Sequence, residues 1–204
     1  MYTVTQGTFR TPKGRSVTLA YREDTNDYNT LRSCLDEDEY RLAELDLTGT
    51  ALDIGAHIGG VTIALLLDNP ALKVVAVEAL PHNDVLLRGN LQRNGVSDRV
   101  TVLCLAAGDG QTTTIRWNFT GGVGQHHAFI GNAVMPDPTD SVAEVVEGIS
   151  LSDLTAEHGP FSFMKIDCEG CEHTVLADPA ASLIPLIRGE LHYPSGVQPL
   201  EIVR

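Results

Sequence analysis

The residues with the clearest chemical promise form one short run, Asp53-Ile54-Gly55-Ala56-His57-Ile58-Gly59-Gly60, followed by a separate acid, Glu78. Glycine lets a backbone approach a ligand closely, and the first N–H groups of a helix are free to bind a carboxylate or a phosphate. An acid about 20 residues further on can accept both hydroxyls of a ribose. Together these parts suit a nucleoside cofactor when a strand precedes the turn, a helix follows it, and the acid ends the next strand. The spacing Gly-x-x-x-Gly-Gly after Asp53 departs from the dinucleotide pattern Gly-x-Gly-x-x-Gly. A methionine carboxylate at the helix N-terminus, with its ammonium near Asp53, fits this turn better than a pyrophosphate does.

The elements that must position these residues are legible in outline. Thr3 to Tyr21 alternates β-formers with polar residues around Thr11-Pro12-Lys13-Gly14-Arg15, which predicts a hairpin. Asn29 to Leu45 places Leu31, Leu35, Leu42 and Leu45 among acids and predicts an amphipathic helix with Asp36 to Glu39 in water. From Thr50 a βα rhythm sets in: strand 51–54, helix 61–68 ended by Asn69-Pro70, strand 73–77, helix 82–94 capped by Gly95, and strand 100–105. Strands follow over Thr112 to Phe119 and Val142 to Ile149, then a helix from Asp153 capped by Ser152, and strand Phe161 to Ile166. A helix over Glu169 to Leu176 and a strand over Ile184 to Leu191 complete the pattern. Short apolar strands between helices predict an α/β fold, a mostly parallel sheet covered on both faces. The expected organisation is one domain over 1–204, with a hairpin and helix lead-in at 1–48 and a Rossmann-like core at 49–204 carrying an irregular loop at 120–141.

Composition narrows the function. The chain has 204 residues, 43% of them hydrophobic, and a formal charge of -13 from 27 acids and 14 bases. No run of Lys or Arg is long enough to track a phosphate backbone or an anionic membrane, so neither nucleic acid nor membrane is an expected partner. The N-terminus shows no basic stretch followed by an apolar one, which leads to a cytoplasmic expectation in which Cys34, Cys104, Cys168 and Cys171 stay reduced. Cys168-Glu169-Gly170-Cys171 after a strand also describes a redox dithiol, the minor alternative here. Metal ligation by Asp167, His192 and a loop histidine stays open, although no ligand spacing demands it and no metal site is assigned.

Five blocks in order resemble the FkbM-type S-adenosylmethionine-dependent methyltransferases: Leu52 to Gly59, Val77-Glu78-Ala79-Leu80-Pro81, Ala106-Ala107-Gly108-Asp109, Met164 to Glu172, and Glu190-Leu191-His192. The Lys165-Ile166-Asp167-x-Glu169-Gly170 block is the most specific. The resemblance implies a class I methyltransferase fold, S-adenosyl-L-methionine as cofactor, and methylation of a hydroxyl on a small molecule such as a sugar or natural product. It also implies that Gly55, Ala56, His57 and Gly59 line the methionine end, Glu78 the ribose, Ala79 and Ala106 the adenine edge, and Asp167 the ammonium side. The family usually has Asn at His57, Pro at Ala79 and small or apolar residues at Cys168 and Cys171. The chain ends soon after the fifth core strand, with Leu200 to Val203 as one short strand at most.

Methyl transfer from a sulfonium is mainly a matter of holding the nucleophile in line and excluding water. An alcohol loses its proton late and gains from a nearby base, for which the candidates are His192, Asp167, Glu169 and the pair His126-His127, and that pair, in the long loop, is also expected to contact the substrate. The rival readings are N- or C-methylation on the same scaffold, a non-catalytic cofactor-binding or interaction subunit, and, last, a nicotinamide oxidoreductase. The acceptor and the oligomeric state, including a homo-oligomer, stay open.

Overall fold

A computed structural model describes residues 2–117, 129–130 and 142–192, with only the backbone described at 116–117 and 129–130. The expectations for His126, His127 and Leu200 to Val203 lie outside the described residues.

Val4–Arg10 (β1) and Ser16–Arg22 (β2) pair antiparallel through the expected turn, where Gly14 takes φ 83°. Alternation along the two strands sends Phe9, Val17 and Leu19 into the core. The helix expected over 29–45 is shorter and earlier, Asp27–Cys34 (α1). The acid run stops it. Asp38 and Arg41 both adopt left-handed φ, near 50° and 54°, and the Asp38 carboxylate accepts from the N–H groups of Leu42 and Ala43, capping a short 3-10 turn at Leu42–Glu44. Leu31, Leu35, Leu42 and Leu45 are nevertheless all buried.

The βα rhythm is present as Gly49–Ile54 (β3), Gly60–Asp68 (α2), Leu72–Val77 (β4), Pro81–Arg93 (α3) and Val100–Leu103 (β5). Pro81 sits in the first turn of α3, where its missing N–H has no partner to lose, and Gly95 lies beyond the helix with φ 66°. Next come Ala106–Gly108 (β6), Thr113–Trp117 (β7) and Phe129–Ile130 (β8). The strand expected over 142–149 divides into Val142–Val146 (β9), antiparallel to β7, and Gly148–Ser150 (β10), parallel to β6. Gly148 marks the break: a Cβ there would lie 2.0 Å from the Gln111 carbonyl oxygen. Leu151–His158 (α4) begins two residues before the expected start because the cap is Ser150, not Ser152. The Ser150 hydroxyl accepts from the Asp153 N–H at 3.0 Å. Phe163–Ile166 (β11), Glu172–Ala177 (α5) and Ile187–Gly189 (β12) close the described chain.

The central sheet has the order β12-β11-β3-β4-β5 and every pair in it is parallel. Alternate residues divide between two cores. Ala51, Val74, Ala76 and Phe163 pack against the hairpin, α1, α2 and α3, whereas Leu52, Val75, Val77 and Met164 pack against α4 and α5. Burial on both faces explains why these strands read as continuous apolar runs. The α/β class with a parallel, doubly covered sheet is therefore as expected. No helix among the described residues is long and apolar enough to cross a membrane.

Candidate active site

The strand order reverses at β3, with β4 on one side and β11 on the other. Ligands of open parallel sheets bind beyond the carboxyl ends of the strands at such a point. A cleft of about 430 Å³ opens there, within the usual span of small-molecule sites, roughly 300–1,000 Å³. Gly55, His57, Glu78 and Ala79 line one side. Asp167, Glu169, Glu190 and His192 line the other.

The first turn is held by main-chain bonds. Gly55 and Ala56 both donate to the Val77 carbonyl, at 2.9 and 3.0 Å, and Asp167 N–H donates to Ile54 at 3.1 Å. Gly55 has φ 74°, and a Cβ on it would stand 1.8 Å from the Asp167 carbonyl oxygen. Only glycine permits the ends of β3 and β11 to approach so closely.

Beneath this turn Asp53 and Lys165 occupy facing positions on β3 and β11. Both are buried, with Nζ 3.6 Å from Asp53 Oδ1, and Thr62 Oγ1 donates to the other carboxylate oxygen at 2.5 Å. Lys165 Nζ also donates to the carbonyls of Gly55 at 2.8 Å and Ile54 at 3.3 Å. Burial opposes the charge on Lys165, but the Asp53 and Asp167 carboxylates outweigh it and hold the ammonium above its ordinary range. Asp53 therefore faces the α1–α2 side and does not line the cleft, contrary to its expected place beside a cofactor ammonium. Strand alternation is the reason: Ile54, the next residue, faces the opposite side.

Glu78 directly follows β4 and is 6% exposed. Its Oε2 accepts from the His57 N–H at 2.8 Å, and its Oε1 accepts from Leu80 N–H and Asn83 Nδ2, both at 3.0 Å. A carboxylate has about four acceptor positions, so capacity for a ligand hydroxyl is left. His57, with φ 50°, brings its Nε2 within 3.1 Å of Asp27 Oδ1. Asp27 is gripped by Arg22 through Nε at 2.7 Å and the terminal nitrogen at 2.9 Å, and that nitrogen also donates to Asn83 Oδ1 at 2.7 Å. Burial opposes ionisation of Asp27, yet the hydrogen bonds from His57 and Arg22 prevail and hold its carboxyl well below the carboxylate range. The N-terminal hairpin is thus wired to the cleft through Arg22-Asp27-His57.

Ala56, Gly59 and Ala106 lie behind the cleft wall. Ala56 is 4% exposed, and a Cβ on Gly59 would meet Leu87 at 2.7 Å. Ala106 packs with Leu80, Ile115 and Val146, so that Ala107, on the other face of β6, borders the cleft instead. Sequence reasoning missed Asn83, Ala107 and Glu190 as lining residues, and Lys165 as the support of the turn. Ala107, Lys165 and Glu190 stand inside the blocks that carry the family resemblance, so block membership was the available signal for them, and Asn83 had none.

The far wall is a ring of acids around one imidazole. His192 Nδ1 lies 2.9 Å from Glu172 Oε1, and Nε2 lies 3.4 Å from Glu169 and 3.7 Å from Glu190. The Glu172 hydrogen bond, set against burial and joined by the charges of Glu169 and Asp167, lifts this imidazole to about 9. The ring therefore carries a proton at neutral pH, which does not suit the base role expected of it. Glu172 is fully buried and also accepts from Cys168 and Gly170 N–H groups, each at 2.9 Å. Those bonds displace the helix start to Glu172, three residues after the expected Glu169, which takes φ 57°. The same bend brings the Cα atoms of Cys168 and Cys171 to 5.6 Å, and the two are joined as a disulfide, not left as thiols as expected.

The family model for the methyltransferase FkbM domain matches residues 53–202. Solved structures similar to part of the chain include a precorrin-6y C5,15-methyltransferase from Geobacter metallireducens, 24% identical with a TM-score of 0.30, the match covering 33% of this chain and 35% of that one. An RNA methyltransferase from Salinibacter ruber in complex with S-adenosyl-L-homocysteine is 27% identical with a TM-score of 0.29, over 33% and 43% of the two chains. A SAM-dependent methyltransferase from Geobacter sulfurreducens, in complex with the same molecule, is 16% identical with a TM-score of 0.30, over 37% and 31%. Among curated proteins none matches.

Proposed function

The chain belongs to the methyltransferase FkbM domain family, whose cofactor is S-adenosylmethionine, and on that premise we propose that it methylates a hydroxyl group of a small molecule. One observation carries the reading: a cleft at the carboxyl edge of the sheet joins the Gly55 turn and Glu78 on one side to a wall of carboxylates on the other. The residues suit the cofactor. Its sulfonium and ammonium outweigh its carboxylate, and the lining offers Glu78, Asp167, Glu169 and Glu190 to a net cation. Leu105, Ala107 and Ile115 supply an apolar slot of the kind an adenine needs.

In this assignment Glu78 receives the ribose hydroxyls, Ala79 and Ala107 flank the adenine, and Gly55 and His57 border the methionine end, with Asp167 on the ammonium side. When bound, S-adenosylmethionine supplies an electrophilic methyl on a positively charged sulfur. The protein's own part is to hold the acceptor oxygen in line and to keep water out. As the acceptor oxygen gives its electron pair to the methyl carbon, its proton passes late to a carboxylate on the far wall, Asp167 or Glu169. A formal charge of -13 and a cleft of this size support a small acceptor over a nucleic acid.

The test is formation of S-adenosylhomocysteine by the purified chain with a panel of small alcohols, phenols and hydroxy acids, each paired with its amine analogue. Turnover on hydroxyl members is expected. Turnover confined to the amines would replace the reading by N-methylation, and cofactor binding without turnover on any member would favour a non-catalytic subunit.

A further inference from the structure

We propose that the far wall of the cleft binds a divalent cation through Asp167, Glu190 and His192 Nε2, and that the acceptor is a molecule able to chelate it through the hydroxyl to be methylated. The choice of acceptor rests on the methyltransferase reading; the cation site stands on its own geometry. One carboxylate oxygen from each acid and one ring nitrogen of His192 lie within 4.8 Å of one another. All three border the cleft, where a ligand can reach them, and Glu169 lies beside them with Oε2 3.4 Å from His192 Nε2.

The arrangement has two layers. Metal-bound histidines almost always give their other ring N–H to a carboxylate that fixes the ring, and metal-bound carboxylates are themselves hydrogen-bonded. Here Glu172, fully buried and outside the ligand set, takes the Nδ1 side of His192 at 2.9 Å and leaves Nε2 toward Glu169 and Glu190. The backbone is fixed as well, since His173 Nε2 meets the His192 carbonyl at 3.1 Å. Tyr40, from the loop after α1, donates its hydroxyl to Asp167 Oδ2 at 2.6 Å, while Oδ1 lies 3.9 Å from the Nδ1 edge of the His192 ring. Support thus reaches both Asp167 and His192 from residues that do not themselves face the ion.

Carboxylates with a single imidazole suit Mg²⁺ or Mn²⁺ better than the softer metals. A metal ion takes the place of the proton at Nε2, which passes to solvent. A hydroxyl held by such an ion would lose its proton more readily, with Asp167 engaged as a ligand and Glu169 the neighbouring carboxylate that takes the proton, and it would be fixed in the cleft beside the cofactor side. Two donor atoms on the acceptor, as in a vicinal diol, a catechol or a hydroxy acid, would occupy the coordination positions the protein leaves open.

The experiment titrates Mn²⁺ alone into the full chain, followed by the loss of the free-ion electron paramagnetic resonance signal, with a parallel titration of S-adenosylhomocysteine. One submillimolar Mn²⁺ per chain is expected, with an echo-detected nitrogen coupling from His192 that His192→Gln removes. Glu190→Gln, at an exposed position, is expected to weaken binding at least about tenfold, and Glu172→Gln to weaken it by about 10–100-fold while reducing the nitrogen coupling. Melting curves identify any variant that fails to fold. Absence of Mn²⁺ binding, or binding equal to wild type in both Glu190→Gln and His192→Gln, would overturn the site. Binding of S-adenosylhomocysteine with no binding of Mn²⁺ overturns the cation site and leaves the methyltransferase reading intact. Mn²⁺ binding without the nucleoside does the reverse.

Discussion

Lys165→Met is expected to destabilise the fold by about 3–5 kcal/mol, because it strands the Asp53 carboxylate in the sheet. Asp53 is fully buried, and Lys165 is the cation that faces it across β3 and β11. The methionine fills much of the same volume, so lost packing is a minor part of the effect. Two further bonds go with the ammonium, those to the Ile54 and Gly55 carbonyls, and with them the support of the cleft turn. Equilibrium denaturation in urea checks the size of the loss. Adding Asp53→Asn to Lys165→Met should recover part of it, since the uncompensated charge is then gone, and the four-member cycle yields the coupling directly. A loss below about 1 kcal/mol, the range of exposed pairs, would mean that the two side chains are hydrated and that the buried pair is not formed.

Gly55→Ala is expected to abolish useful cofactor binding, by about 100-fold or more, through a displacement of roughly an ångström in the turn. The left-handed φ of 74° is one cost, and the Cβ placed 1.8 Å from the Asp167 carbonyl oxygen is the larger one. Backbone cannot yield there without separating the ends of β3 and β11, which carry opposite walls of the cleft. Gly170→Ala provides the contrast. Gly170 also has positive φ, 123°, but a Cβ there meets nothing within 4 Å. Conformational strain without a collision should leave affinity for S-adenosylhomocysteine within about tenfold of wild type, given about 1–2 kcal/mol for a left-handed residue. Equal effects of the two substitutions would contradict the close approach at Gly55.

Periodicity made the α/β class and the positions of β3, α2, β4, α3 and β5 readable, because strands buried on both faces and helices between Pro and Gly signals leave strong local patterns. Places where side chains bind their own backbone were opaque. Asp38 turns back on Leu42 and Ala43 and ends what looked like a long helix, and Glu172 does the same to Cys168 and Gly170. Nothing in residue spacing distinguishes such carboxylates from solvated ones.

The site divides in the same way. Gly55 and Glu78 stand out because a turn and a strand end in a βα unit have few other uses. Asp53 misled, since its place next to the glycine turn says nothing about which face of the strand it occupies until the alternation is fixed by its neighbours. His192 was legible as a cleft residue but not in its protonation, which depends on Glu169 and Glu172 arriving from another element. The Arg22-Asp27-His57 chain joins parts of the sequence whose contact no local pattern announces.

The most direct test of the account is a calorimetric titration of the purified chain with S-adenosylhomocysteine, run beside Glu78→Ala and with NAD as the control ligand. The account predicts one-to-one binding of S-adenosylhomocysteine, at least about tenfold weaker in the variant because two ribose hydroxyls lose their acceptor, and no binding of NAD. Absence of binding to the wild type, or affinity unchanged by Glu78→Ala, would contradict the assignment of this cleft to the methyl donor.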